Sequence, residues 1–274
     1  MTILDHLRLQ MPRASRSTLR GMLRDGRIRV NGRLIQSLGE PLQPGDRVSI
    51  LPRRPGRSRL ARELPFPVVF EDEHLIVIHK PPGLLTSSGL RDRRPTAIGI
   101  LRAHYRSQAP RVRIGLVHRL DADASGLLVF SKTARARNAL KAQFLQHAVG
   151  REYLALVEGI PRPESGRIET LLVERADGTV TVTTDRRAGK PAVSHYQVVK
   201  SVGGRSVVRI RLETGRKHQI RVHLAHRGWP IVNDRLYHPD PGKGELALTA
   251  VALEISHPRT GRRMQWRIDP VFHI

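Results

Sequence analysis

Cysteine is absent from all 274 residues. That removes disulfides, thiolate metal sites and thiol nucleophiles together, and it fits a cytoplasmic protein, where disulfides are rare. Aromatic residues make up only 4% of the chain, too few for a sugar groove paved with rings. No apolar run approaches the roughly 20 residues of a membrane-spanning helix. The opening "MTILDHLRLQMPRASRS" lacks the apolar stretch and small-residue cleavage site of a secretory signal. Acidic residues are scarce as well: 24 Asp and Glu face 48 Lys and Arg, for a net charge of +24. Such a charge opposes compaction unless a polyanion screens it. Nucleic acid fits best, because Lys and Arg neutralise phosphates and release counterions; an anionic membrane surface is the rival partner.

What is present divides into two modules. Residues 1–51 read as a small unit. In "TILDHLRLQM", Ile3, Leu4, Leu7 and Met11 have helical spacing. Ser15 or Ser17 can cap a second helix, "STLRGMLRDG", which stops at Gly26. "RIRV" and "RLI" read as strands joined at Asn31-Gly32, where both residues tolerate positive φ. "LQPGDRVSI" adds one more strand. Arg16, Arg20 and Arg24 recur every four residues and share one helix face, with Arg27 close by. No acidic residue balances that stripe at helical spacing, so RNA binding is favoured over a merely solvated face. "SRSTLRGMLRDGRIRVNGRLI" with "PLQPGDRVSI" resembles the alpha-L type of RNA-binding domain, first known from a ribosomal small-subunit protein. The resemblance implies a helix pair that grips structured RNA. Residues 52–63, rich in Arg, Pro and Gly without apolar period, read as a basic linker.

Residues 64–274 form the second module. "HLIVIHK", "GLLVFSK" and "REYLALVEG" read as strands, and Thr133 caps a helix carrying Ala136, Leu140, Phe144 and Ala148 at four-residue steps. Hairpins are expected around Gly203-Gly204 and at "PRTG". Hairpins mixed with helices, without a regular βα repeat, predict an α+β domain with a largely antiparallel sheet.

Candidate chemistry was weighed by spacing. His218, His223 and His226 lack a nearby carboxylate or third ligand at metal-site spacing, so no metal is expected. The serine-hydrolase elbow and the Gly-rich phosphate loop are both missing. Asp121 and Asp123 remain, in "HRLDADASG". If the segment is extended, both face the same way, and two close carboxylates need cations nearby. Spacing alone leaves open whether they are catalytic or are turn acceptors ahead of a strand.

"GLVHRLDADASGLLVFSKT" resembles the central motif of the RluA family of pseudouridine synthases. "VVFEDEHLIVIHKPPGLLT", "REYLALVEG", "GKPAVSHYQVV" and "RLETGRKHQIRVHLAHRGWPIVND" follow in that family's order, over roughly residues 66–260. Five ordered motifs are far more specific than one. The resemblance implies a pseudouridine synthase fold, with a mixed, largely antiparallel sheet flanked by helices. It implies that Asp121 attacks a flipped-out uridine, that Arg221 pairs with it, that Tyr153 stacks on the base and takes part in proton removal, and that Arg119 fills the gap left in the RNA. Lys80, Arg216 and Lys217 fall in the same motifs and are expected to meet RNA. The isomerisation keeps substrate and product at one formula, so no cofactor, nucleotide or metal is expected. Four positions depart from the family pattern: Ala124 for Thr, Lys217 for Thr, "VNDRLYH" without the glycines of "GDxxYG", and Thr249 for His.

The expectation is therefore a monomeric cytoplasmic RNA pseudouridine synthase acting on ribosomal RNA. A transfer RNA enzyme, a silent RNA-binding or ribosome-assembly factor, and a glycosidase using Asp121 with Asp123 are the alternatives.

Overall fold

A computed structural model describes residues 2–12, 14–15, 18–19, 22–23, 27–35, 37–51, 64–88, 94–109 and 111–272. The chain divides into two compact units, Met1–Glu63 and Leu64–Ile274.

The first unit opens with helix α1 (Ile3–Gln10). Thr2 and Asp5 close a capping box: Asp5 N donates to Thr2 Oγ1, and Thr2 N donates to an Asp5 carboxylate oxygen. Thr18, Leu19, Met22 and Leu23 are helical, with Ser15 Oγ accepting from Thr18 N. Three short strands, β1 (Ile28–Val30), β2 (Arg33–Leu34) and β3 (Val48–Ile50), pair antiparallel in the order β2-β1-β3. Asn31 and Gly32 have φ of 52° and 81°. The Asn31 side chain donates to Asp46 and accepts from Arg47 N, tying the hairpin turn to the Pro-Gly-Asp turn. Ile3, Leu7, Leu19 and Ile28 are buried in a core of their own. Arg16, Arg20, Arg24 and the linker 52–63 lie outside the described residues. Arg27 Nε donates to the Leu51 carbonyl, so this cation is partly committed to the end of β3.

The second unit is built on an 11-stranded sheet. Its strands are β4 (Val68–Glu71), β5 (Leu75–Lys80), β6 (Gly115–Leu116), β7 (Ser125–Ser131), β8 (Gly150–Glu158), β9 (Ser165–Glu174), β10 (Val180–Thr183), β11 (Lys190–Val202), β12 (Arg205–Leu212), β13 (Leu248–Ser256) and β14 (Arg263–Arg267). The order is β10-β9-β11-β12-β8-β13-β7-β5-β4, with β14 on β13 and β6 on β7. All pairs are antiparallel except β7 with β13. β5 and β7 are buried on both faces. Ile76, Ile78, Leu128 and Phe130 enter one core, while Leu75, Val77, Leu127 and Val129 enter another, as a period of two requires. Helix α2 (Ala97–Gln108) covers the first face through Ala97, Leu101 and Tyr105. Helix α3 (Ala134–Leu145) covers the second through Leu140. Helix α4 (Gln219–His226) completes the set.

Three local expectations change. α2 was not anticipated. The α3 helix ends at Leu145, short of Ala148, because His147 turns the chain with φ of 54°. The stretch holding Asp121 and Asp123 is not a strand but the loop that enters β7. At that entry Gly126 has φ of 121°, and a Cβ there would stand 2.4 Å from both N and O of Ala250. The parallel β7–β13 crossing thus requires a residue without a side chain.

Candidate active site

The loop before β7 is pinned from inside the protein. His118 Nε2 accepts from Val129 N at 3.1 Å, and its ring stacks on Phe144. Thr86 Oγ1 donates to the Leu120 carbonyl at 2.8 Å and accepts from Leu120 N. Lys80 closes the third point: its ammonium donates to the carbonyls of Pro81, Leu84 and Ala122, each at 2.8 Å. Positions 118, 120 and 122 are therefore held by internal bonds. Arg119, Asp121 and Asp123, the alternate positions, are left to the outside. The strand-like alternation survives without a strand.

Lys80 is fully buried. This corrects its expected contact with RNA: all three of its donors are already taken by backbone, and no phosphate can reach them. Burial pushes its pKa down to about 8, while Asp121 and Asp123 pull it back up.

Arg221 comes from α4 and is only 2% exposed. A surface role for it is excluded. Its Nε and Nη2 bond both oxygens of the fully buried Asp234, at 2.9 and 2.6 Å, and its guanidinium lies over the Tyr237 ring at 5.2 Å. Asp234 also accepts from the backbone N–H groups of Leu236 and Tyr237. Burial works against the guanidinium charge, but the Asp234 hydrogen bonds and charge outweigh it and raise the pKa above its ordinary value. The remaining nitrogen, Nη1, stands 3.9 Å from a carboxylate oxygen of Asp121 and equally 3.9 Å from one of Asp123. The two carboxylates differ in exposure, 17% for Asp121 and 54% for Asp123.

They also open onto different clefts. Asp121 lines one with Arg119, Arg151, Tyr153, Lys217 and His218. Asp123 lines another with Gly83, Arg235 and Lys243. Tyr153 sits in the middle of the sheet, paired with Ile210 on β12 and Ala250 on β13. It is 6% exposed. Burial raises its pKa, and the Asp121 charge adds to that rise.

Around the cleft, Arg119 is exposed. Arg216 Nε is bonded to the Pro191 carbonyl. Lys217 Nζ bonds Glu174 and the Gly178 carbonyl, which ties it to the β9–β10 hairpin and leaves less of its charge for RNA. The three histidines separate. His218 Nδ1 faces the Tyr237 hydroxyl, and His223 is buried between Ser194 and Thr170. Ala124 is buried against the core beside the cleft. Thr249 is buried too, with Oγ1 2.9 Å from Ser125 Oγ, so it braces the first residue of β7.

Thr86, Asp234 and Tyr237 were not singled out from sequence. The "NDRLY" stretch carried the signal for two of them, as an acidic and an aromatic residue three apart.

Comparison with known proteins agrees with this architecture. The family described as RNA pseudouridylate synthase matches residues 74–226, and the S4 domain matches residues 8–48. Ribosomal large subunit pseudouridine synthase D of Pseudomonas aeruginosa is 36% identical over 284 residues, covering 96% of this chain and 87% of that protein. Its namesake from Haemophilus influenzae is 34% identical, covering 93% and 83%. The solved structure of human RNA pseudouridylate synthase domain containing 4 superposes with a TM-score of 0.63 at 23% identity. It covers 74% of this chain and 88% of that one, a likeness of fold.

Proposed function

The chain belongs to the RNA pseudouridylate synthase family, and from that premise we propose that it isomerises uridines of large-subunit ribosomal RNA with Asp121 as nucleophile. The observation that carries the reading is the placement of Asp121. It stands on a loop pinned at Leu120 and Ala122, 3.9 Å from a buried guanidinium, in a cleft shared with Tyr153.

The chemistry follows from that placement. A nucleophilic carboxylate must be ionised, and a neighbouring guanidinium favours the charged form. Arg221 can hold its position because Asp234 and Tyr237 fix it from behind. The target base leaves its stack at a cost of a few kcal/mol, and an aromatic face returns about 1–3 kcal/mol of it. Tyr153 is assigned that face and Arg119, exposed at the mouth, the gap left in the RNA. A carboxylate oxygen of Asp121 bonds C1′ as the C1′–N1 bond breaks, and that electron pair leaves with uracil on N1. Uracil turns, C5 bonds C1′ as the Asp121–C1′ bond breaks, N1 takes up a proton from solvent and C5 gives one up. Because burial keeps the Tyr153 phenol protonated, the C5 proton is assigned a path through the hydroxyl to the released Asp121 carboxylate, which passes it to solvent and returns to its ionised form.

The test uses an unmodified large-subunit ribosomal RNA transcript carrying tritium at uracil C5. Wild type is expected to release label and Asp121→Asn to release none. Intact RNA binding without release by wild type would make this protein a binder rather than an enzyme.

A further inference from the structure

A second basic site lies at the far end of β7. There a cavity of about 590 Å³ opens between α2 and the start of α3. Arg102, Arg106, Arg113 and Arg137 line it, and no acidic residue does. All four arginines are exposed. Two of the stems are placed rather than loose: Arg102 Nε donates to the Ile114 carbonyl, and Arg137 lies over Gly115, where a Cβ would stand 2.8 Å from its Cδ. Glu71, which the Tyr105 hydroxyl of the cavity wall reaches, is already committed to that hydroxyl and to Lys132. Arg102, Arg106 and Arg137, like charges around one cavity, repel one another, so an anion is the ligand that relieves them.

The cavity is joined to the Asp121 cleft by further cations. β7 spans roughly 20 Å from Ser125 to Ser131; Gly115 and Leu116 pair with its far end, and His118 accepts from Val129 N. On α3, Arg137, Lys141 and Phe144 share one face over about two turns, roughly 10 Å. At the far end of that face, Arg151 lies over the Phe144 ring at 5.6 Å and also lines the Asp121 cleft. Its Nε is buried and has no hydrogen-bond partner among the described residues. Cations thus run from Arg119 through Arg151 and Lys141 to Arg137 and the cavity.

We propose that the sugar–phosphate backbone of the substrate RNA leaves the Asp121 cleft along this line, and that the arginine cavity grips its phosphates. This rests on the proposed RNA substrate. It adds a phosphate-binding site at the Ser131 end of β7, between α2 and the start of α3. Guanidinium forks suit phosphate oxygens in pairs, and contacts to phosphate set register without reading bases.

The test compares wild type, the Arg106→Gln/Arg137→Gln pair and the Arg106→Lys/Arg137→Lys pair, as full chains. Binding to the large-subunit ribosomal RNA transcript is measured across a salt series. The Gln pair is expected to bind about tenfold more weakly, with a salt slope smaller by about 1.5, the share of two lost phosphate contacts. The Lys pair should recover most of the affinity. The rate of tritium release at saturating RNA should stay within about twofold of wild type, since neither residue reaches the reacting atoms. A control pair at the β13–β14 turn, Arg259→Gln/Arg262→Gln, should leave affinity and slope unchanged. Unchanged affinity and slope in the Arg106/Arg137 Gln pair would overturn the proposal. So would loss of inorganic pyrophosphate binding with RNA affinity intact, which would assign the cavity to a small anion. Absence of tritium release from wild type would sink the enzymatic reading, while the binding series would still decide the cavity.

Discussion

Arg221 and Asp234 form a two-pronged ion pair shut away from solvent, at 2.6 and 2.9 Å, and the one guanidinium nitrogen left over faces Asp121. Asp234 never reaches the cleft. It acts by aiming Arg221, and the two must be read as one device. Breaking a buried pair by removing one partner costs about 3–5 kcal/mol, because the other charge is stranded. Asp234→Asn should therefore lower unfolding stability by that order in a urea titration. Any folded fraction should release tritium far more slowly than wild type at saturating RNA. A variant of wild-type stability and rate would show that Arg221 needs no anchor.

Asp121 and Asp123 stand at equal distance from Arg221 but in different clefts. Asp121→Asn should bring tritium release to the assay floor. Asp123 is half exposed, and an exposed ion pair contributes about 0–1 kcal/mol. Asp123→Asn should therefore keep activity within about tenfold. Equal loss in both variants would point to a two-carboxylate mechanism.

Tyr153→Phe keeps the ring and removes the hydroxyl. RNA affinity is expected to hold while the saturated rate falls by about 10²-fold, the lower range of proton-transfer catalysis. Single-turnover rates beside equilibrium binding separate the two. If the rate holds as well, the hydroxyl carries no proton and Tyr153 only stacks.

His118 makes the fold acid-sensitive. Burial, with help from the Arg151 charge, pushes its pKa from 6.5 down to about 3. Between those values the unfolded chain binds a proton that the folded chain does not, so stability rises with pH. The contribution is complete above about pH 6.5 and is lost as pH falls toward 3. His118→Gln keeps an acceptor for Val129 N and removes the titration. The stability gap between wild type and this variant should narrow steadily from pH 7 to 4.5; a constant gap would clear His118 of the effect.

The parts of this design that the sequence discloses are those with local rules. Asn31-Gly32, the Thr133 cap and the Gly203-Gly204 hairpin were readable because φ preference and capping act within a few residues. The α+β class followed from hairpins mixed with helices without a βα repeat, and the proposed roles of Asp121, Tyr153 and Arg221 from the family resemblance of ordered motifs. Lys80 was misplaced because a lysine at the end of a strand, ahead of Pro81 and Pro82, looks like a phosphate contact. Only the fold shows that three carbonyls, one of them 42 residues away, enclose it. Asp234 escaped notice for the same reason: its partner lies 13 residues back, on a helix whose burial no local pattern announces. Helix α2 carries Gly99, a poor helix former, in its first turn, and its buried Ala97, Leu101 and Tyr105, at four-residue steps, went unread.

Gly126 has a genetic consequence. Every missense change at its codon would put a carbon 2.4 Å from the Ala250 backbone, although no reactive group is altered. A screen for inactive alleles should strike this position as hard as Asp121. The two classes would separate by soluble yield: dead but abundant protein at 121, scarce protein at 126. Within a single nine-residue motif, one letter encodes a reaction and another encodes room for a neighbouring strand.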